Sequence, residues 1–135
     1  YQPAGGSLLP ASEESLTSRG HFLKMNGREI FKSAVRVMER AARELLEAHG
    51  FTENDVDHVI PHQANARIVE SLSQRLEIPL EKFFCNLDKY GNTSAASIPI
   101  ALDEARKSLI LKKGQLGLFV AFGAGLTWSA VLVRF

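Results

Sequence analysis

What most constrains this 135-residue chain is a repeated change of hydrophobic period, in which helical spacing of three and four gives way to short β-branched runs and then returns. Between Glu29 and His49, the apolar residues Phe31, Ala34, Val35, Met38, Ala41, Ala42, Leu45 and Leu46 predict an amphipathic helix that Gly50 ends. Val56–Gln63 contains His58-Val59-Ile60-Pro61, a short buried strand with its proline tolerated at the end. Ala66–Leu76 carries Ile68, Val69, Leu72 and Leu76 at helical spacing, with Pro79 just beyond. Phe83–Leu87 reads as another short apolar run. Pro99 fits only the first turn of a helix, which should then begin close to Ala95–Ser97 and run to about Leu109. Gln115–Phe122 and Trp128–Phe135 read as strands joined through Gly123–Thr127. Such alternation predicts an α/β fold: a mostly parallel sheet with covering helices, closed by a terminal antiparallel hairpin.

Composition then excludes several classes. With 45% hydrophobic and 23% charged residues, the chain has enough apolar material for one globular core. Sixteen basic and fifteen acidic residues leave a formal charge of +1, and no long basic run tracks a phosphate backbone, so nucleic acid is not an expected partner. No apolar stretch reaches the roughly 18 residues of a membrane span, and the start lacks the layout of a signal peptide. A cytoplasmic location without membrane attachment is the expectation. One cysteine, Cys85, excludes an internal disulfide and a Cys-based zinc site, so no metal is expected. Within its apolar run Cys85 reads as a small buried hydrophobe. The sequence opens on Tyr1, and residues 1–20, with Gly5-Gly6-Ser7 and Pro10-Ala11-Ser12, read as irregular loop from a longer polypeptide that precedes a domain at 21–135.

Open α/β sheets bind ligands beyond the carboxyl ends of their strands. His62, Asn92 and the Gly123–Gly125 turn each follow a strand-like run and should meet on one rim. By default such a His is structural, such an Asn forms a turn, and the glycines make a hairpin. Together they suggest more. A neutral imidazole and a carboxamide aimed at one point form an oxyanion hole, worth about 3–4 kcal/mol of barrier per donor. The natural use is activation of a carbonyl or thioester. The rim shows no evident nucleophile.

Three motifs, His62-Gln63-Ala64-Asn65-x-Arg67, Gly91-Asn92-Thr93-Ser94-Ala95-Ala96-Ser97-Ile98-Pro99 and Phe122-Gly123-Ala124-Gly125-Leu126-Thr127-Trp128, resemble in order and spacing the carboxyl-terminal half of the 3-oxoacyl-acyl-carrier-protein synthase III family. The likeness runs from roughly Gly5 to Phe135 and implies a thiolase-like fold. It also implies an acyltransferase of fatty-acid synthesis initiation, which condenses acyl-coenzyme A, with acetyl as the expected acyl group, with malonyl-acyl-carrier protein. His62 and Asn92 match the pair that holds the malonyl thioester oxygen. The Ala124 N–H matches a donor of the second oxyanion hole, and Phe122 matches the ring beside the nucleophilic cysteine. Arg67 matches a carrier-protein docking position. Met25, Gly27, Ile30, Phe31, Ala34, Ala64 and Asn65 match the wall of the pantetheine tunnel. In that family the nucleophile lies in the amino-terminal half, which this chain lacks, and Cys85 does not match it. The implied partners are that other half, acyl-carrier protein and acyl-coenzyme A, the latter a substrate rather than a cofactor. The complete enzyme is expected to be a homodimer, in the plastid stroma if the source is a plant. Two other readings stand beside this one: a self-contained Cys85/His62 thioester hydrolase, and a non-catalytic module that binds acyl-carrier protein.

Overall fold

The first helix, α1 (Glu13–Thr17), starts at a reciprocal cap: the Ser15 N–H donates to Ser12 Oγ (3.1 Å) and the Ser12 N–H to Ser15 Oγ (2.8 Å). A helix therefore interrupts the stretch 1–20 that reads as irregular, because this cap satisfies donors that loop residues would leave to water. The computed structural model describes all residues, 1–135, and the chain divides into two compact units, 1–31 and 32–135. The first unit is closed by main-chain bonds between distant residues, Ala4 N–H to Gly20 O (2.9 Å) and Lys24 N–H to Tyr1 O (2.8 Å). A side chain at Gly20 would meet Ala4 Cβ at 2.9 Å, so this close approach requires glycine.

Helix α2 (Gly27–Ala48) follows the predicted apolar stripe, with Ala34, Val35, Met38, Ala42 and Leu46 buried. Gly50 adopts φ +71°, and the Phe51 N–H donates back to Leu46 O (2.9 Å), the closure that a left-handed residue makes possible. Strand β1 (His58–Pro61) leads into α3 (Ala66–Leu76), whose start is capped by Asn65 Oδ1 accepting from the Arg67 N–H (2.9 Å). After α3 come a single-turn helix, α4 (Leu87–Tyr90), then α5 (Ser97–Lys107) with Pro99 in its first turn, and strands β2 (Leu116–Gly123) and β3 (Thr127–Arg134).

The sheet is mixed, in the order β1-β2-β3. β1 and β2 are parallel, pairing His58 with Gly117 and Pro61 with Val120, while β2 and β3 form the expected antiparallel hairpin, pairing Leu116 with Arg134 and Gly123 with Thr127. The Phe83–Leu87 run is not a full strand. It contributes one parallel bridge, Val59 to Phe83, and one bond, Phe84 N–H to Val59 O (2.9 Å), before Asn86 turns the chain into α4. A bridge of one residue pair cannot sustain a ladder.

Alternation along the strands divides the core. Ile60 and Phe119 point to one face and pack with Ala101 and Ala105 of α5 and with Leu111. Val59, Leu118 and Val120, all fully buried, point to the other. Met38 and Leu46 of α2 and Leu72 and Leu76 of α3 are fully buried as well. The two helices are joined by Arg75 Nη1 to Glu39 Oε2 (2.7 Å) and Arg43 Nη2 to the Arg75 carbonyl (2.6 Å), and Arg43 also pairs with Glu53.

Candidate functional site

Because β1 and β2 are parallel, the residues that follow them lie on the same edge of the sheet. The His62 N–H donates to Val120 O (2.8 Å), which extends the ladder into the site residue itself. Its ring is half-buried, and Nδ1 lies 2.6 Å from Oγ of Ser97, the first residue of α5. Burial pushes the imidazole pKa below its ordinary value of 6.5, so the ring is neutral at pH 7. A neutral imidazole presents one N–H donor and one acceptor.

Asn92 departs from the expectation that it directly follows a strand: it follows α4 and Gly91, which has φ +67°. The side chain is exposed, and its Oδ1 accepts from the Ser94 N–H (2.9 Å), which closes a local turn. With the oxygen occupied, Nδ2 is the free, donating end of the amide. The His62 and Asn92 side chains make no direct hydrogen bond. What connects them is the stretch from Asn92 to Ser97, tied to His62 at its Ser97 end.

Beneath His62 lies a network that reading the sequence did not single out. Gln63, only 1% exposed, donates from Nε2 to Pro61 O (2.9 Å) and Phe84 O (3.2 Å), and its Oε1 accepts from the Asn86 N–H (3.3 Å). Asn86 in turn donates from Nδ2 to Glu104 Oε2 (2.8 Å), and Lys89 of α4 pairs with the same carboxylate. These charge-assisted bonds hold the Glu104 carboxyl below its usual range. Ser97, Gln63, Asn86 and Glu104 thus fasten the segment bearing Asn92 at both ends.

Cys85 corrects the expectation of a buried hydrophobe. As a residue it is exposed, while its sulfur turns inward toward Gln63 Oε1 (3.1 Å). Partial desolvation is the largest influence on the thiol and raises its pKa, the Leu87 backbone lowers it, and Asp88 raises it again. Its partner is Gln63 rather than His62, and the thiol is held protonated. That arrangement is the reverse of an activated nucleophile.

The glycine turn leaves β2 beside this site. Gly125 and Leu126 adopt φ +78° and +54°, and the Thr127 hydroxyl donates to Ala124 O (3.2 Å). The Ala124 N–H is not taken up by any backbone acceptor, so it is available to a ligand. Phe122 borders an open cleft of about 270 Å³ with Ser33, Arg36, Val37, Arg40, Leu126 and Trp128. Arg67 stands exposed on the first turn of α3. Ala64 is half-buried, Asn65 is exposed and caps α3, and Ala34 is fully buried in the second unit. Met25, Gly27, Ile30 and Phe31 belong to the first unit, where Met25 is 73% exposed. No group of three or more His, Cys, Asp or Glu side chains is arranged to hold a metal ion, and no helix is long and apolar enough to cross a membrane.

A family model described as 3-oxoacyl-[acyl-carrier-protein (ACP)] synthase III C terminal matches residues 46–135. The chain is 53% identical over 134 residues to the beta-ketoacyl-[acyl-carrier-protein] synthase III of Caldanaerobacter subterraneus subsp. tengcongensis, covering 99% of this chain and 40% of that protein. It is 53% identical over 131 residues to the corresponding protein of Roseiflexus castenholzii, covering 97% and 40%. The crystal structure of 3-oxoacyl-[acyl-carrier-protein] synthase III from Aquifex aeolicus VF5 superposes with a TM-score of 0.83 at 56% identity, over 85% of this chain and 37% of that one. The chain therefore spans about 40% of the length of the curated relatives it matches. Its fold is thiolase-like, and by the family match over residues 46–135 together with these identities, the chain belongs to the 3-oxoacyl-[acyl-carrier-protein] synthase III family.

Proposed function

We propose that this chain supplies the carboxyl-terminal part of the active site of a condensing enzyme that starts fatty-acid synthesis. An acyl group from acyl-coenzyme A, with acetyl as the expected starter, is first carried on a cysteine outside this chain. Malonyl-acyl-carrier protein then loses carbon dioxide. The electron pair of the broken C–CO₂ bond passes into the thioester as an enolate, and that carbon attacks the acyl-cysteine carbonyl. The acyl C–S bond breaks, the cysteine leaves as thiolate, and 3-oxoacyl-carrier protein is formed. His62 and Asn92 each donate one N–H to the malonyl thioester oxygen as it becomes negative. The observation that carries this reading is that both groups have their other polar atom already engaged, His62 Nδ1 near Ser97 and Asn92 Oδ1 on Ser94, leaving N–H donors to spare.

The Ala124 N–H serves the second oxyanion, on the acyl-cysteine, with Phe122 beside it. Arg67 meets the acidic carrier protein, and Met25, Gly27, Ile30, Phe31, Ala64 and Asn65 wall the pantetheine tunnel, whereas Ala34, expected in that wall, is fully buried and has no surface to offer it. The chemistry needs no cofactor, the site belongs to a homodimer when complete, and the location is the cytoplasm. Co-expression with the amino-terminal portion of a synthase III relative, followed by assay of acetoacetyl-carrier formation, tests the proposal. The expected result is product from the pair and none from either part alone. Carrier binding with no turnover in the restored fold would instead favour a non-catalytic binding module.

A further inference from the structure

Ser97 is only 2% exposed, and its hydroxyl has only two partners, His62 Nδ1 at 2.6 Å and the Gln63 N–H at 3.3 Å. The Gln63 amide can only donate. The Ser97 hydrogen has one place left to go, because a buried hydroxyl hydrogen without an acceptor is costly and no buried polar side-chain atom in this protein lacks a partner. We propose that Ser97 is a positioning residue that donates its hydroxyl hydrogen to His62 Nδ1 and thereby fixes the ring as the tautomer carrying its hydrogen on Nε2, facing the substrate. The inference rests on the role given to His62 above, since only that role makes the choice of nitrogen matter.

A second serine–histidine pair in this chain is polarised the other way. Ser15 Oγ also lies 2.8 Å from a histidine nitrogen, Nε2 of His21, but its hydroxyl already donates to Ser12 O (2.8 Å). There the serine accepts and the histidine donates. Without the Ser97 hydroxyl, His62 Nδ1 would have no donor, the two neutral forms would compete, and the Nδ1–H form would present a bare acceptor lone pair to the developing enolate. Ser97 also accepts the amide of the residue following His62, so one oxygen fixes ring rotation and the local backbone together.

Nitrogen-15 NMR of the full chain labelled at histidine tests this directly, because a ring nitrogen bearing hydrogen and one that accepts resonate far apart. Above the His62 titration, the expected spectrum shows an accepting Nδ1 and a protonated Nε2. Ser97→Ala should shift the tautomer ratio by about fivefold toward Nδ1–H, the worth of one ordinary hydrogen bond, while Ser97→Thr should retain the parent form. A protonated Nδ1 in the unsubstituted chain, a reading that does not depend on any variant folding, would overturn the proposal, as would an unchanged spectrum in Ser97→Ala. Turnover is not involved. An Nε2–H ring in the unsubstituted chain, together with full turnover of the complete enzyme after His62→Ala, would refute the catalytic role of His62 and leave the tautomer assignment intact.

Discussion

Two expectations belong to the residue scale. The first is catalytic: in the complete enzyme, His62→Ala and Asn92→Ala should each lower the condensation rate by about 10²–10³-fold, the usual loss of one oxyanion donor. Steady-state kinetics of the two variants checks this. The second concerns stability. The folded chain holds His62 below 6.5, so as pH falls through that value the unfolded chain takes up a proton that the folded chain refuses. Stability should therefore decline between about pH 7 and the lowered folded value, and then level off. Urea titrations across this range should show a flatter profile for His62→Gln than for the parent. The sequence pointed to His62 and Asn92 because their types and their motifs are local. It did not point to Ser97, Gln63, Asn86 or Glu104, whose meaning depends on partners 18 to 35 residues away.

The elements themselves were legible to different degrees. Helix α3 occupies the predicted Ala66–Leu76, and α2 lies within two residues of its prediction, because an apolar stripe at helical spacing reports burial over many turns. The Phe83–Leu87 run misled because a strand exists only with its partner: here one bridge forms, and the buried Gln63 side chain takes over the main-chain groups of Phe84 and Asn86. Gln63→Ala should thus cost about 3 kcal/mol in chemical denaturation, since buried main-chain groups at Pro61, Phe84 and Asn86 lose their partner. On β2, a side chain at Gly117 would meet Phe135 Cε2 at 2.7 Å. Gly117→Ala should destabilise by about 1–3 kcal/mol, and Phe135→Leu in the same background should recover part of the loss in thermal melts.

At the scale of the whole molecule, the sheet gathers the site residues on one edge. Parallel β1 and β2 deliver His62 and the glycine turn to one edge, and α5 brings the segment bearing Asn92 to His62 through Ser97. The one cysteine is turned toward Gln63 and held protonated. Iodoacetamide should accordingly label Cys85 slowly at neutral pH, whereas rapid labelling would revive a Cys85/His62 hydrolase. The central claim is that His62 and Asn92 receive charge only when malonyl thioester loses carbon dioxide. The most direct measurement separates the two half-reactions in the complete enzyme carrying His62→Ala and Asn92→Ala together. Release of carbon dioxide from malonyl-carrier protein should fall by at least about 10²-fold while acyl transfer from coenzyme A to the cysteine persists. Decarboxylation at the parent rate would contradict the account.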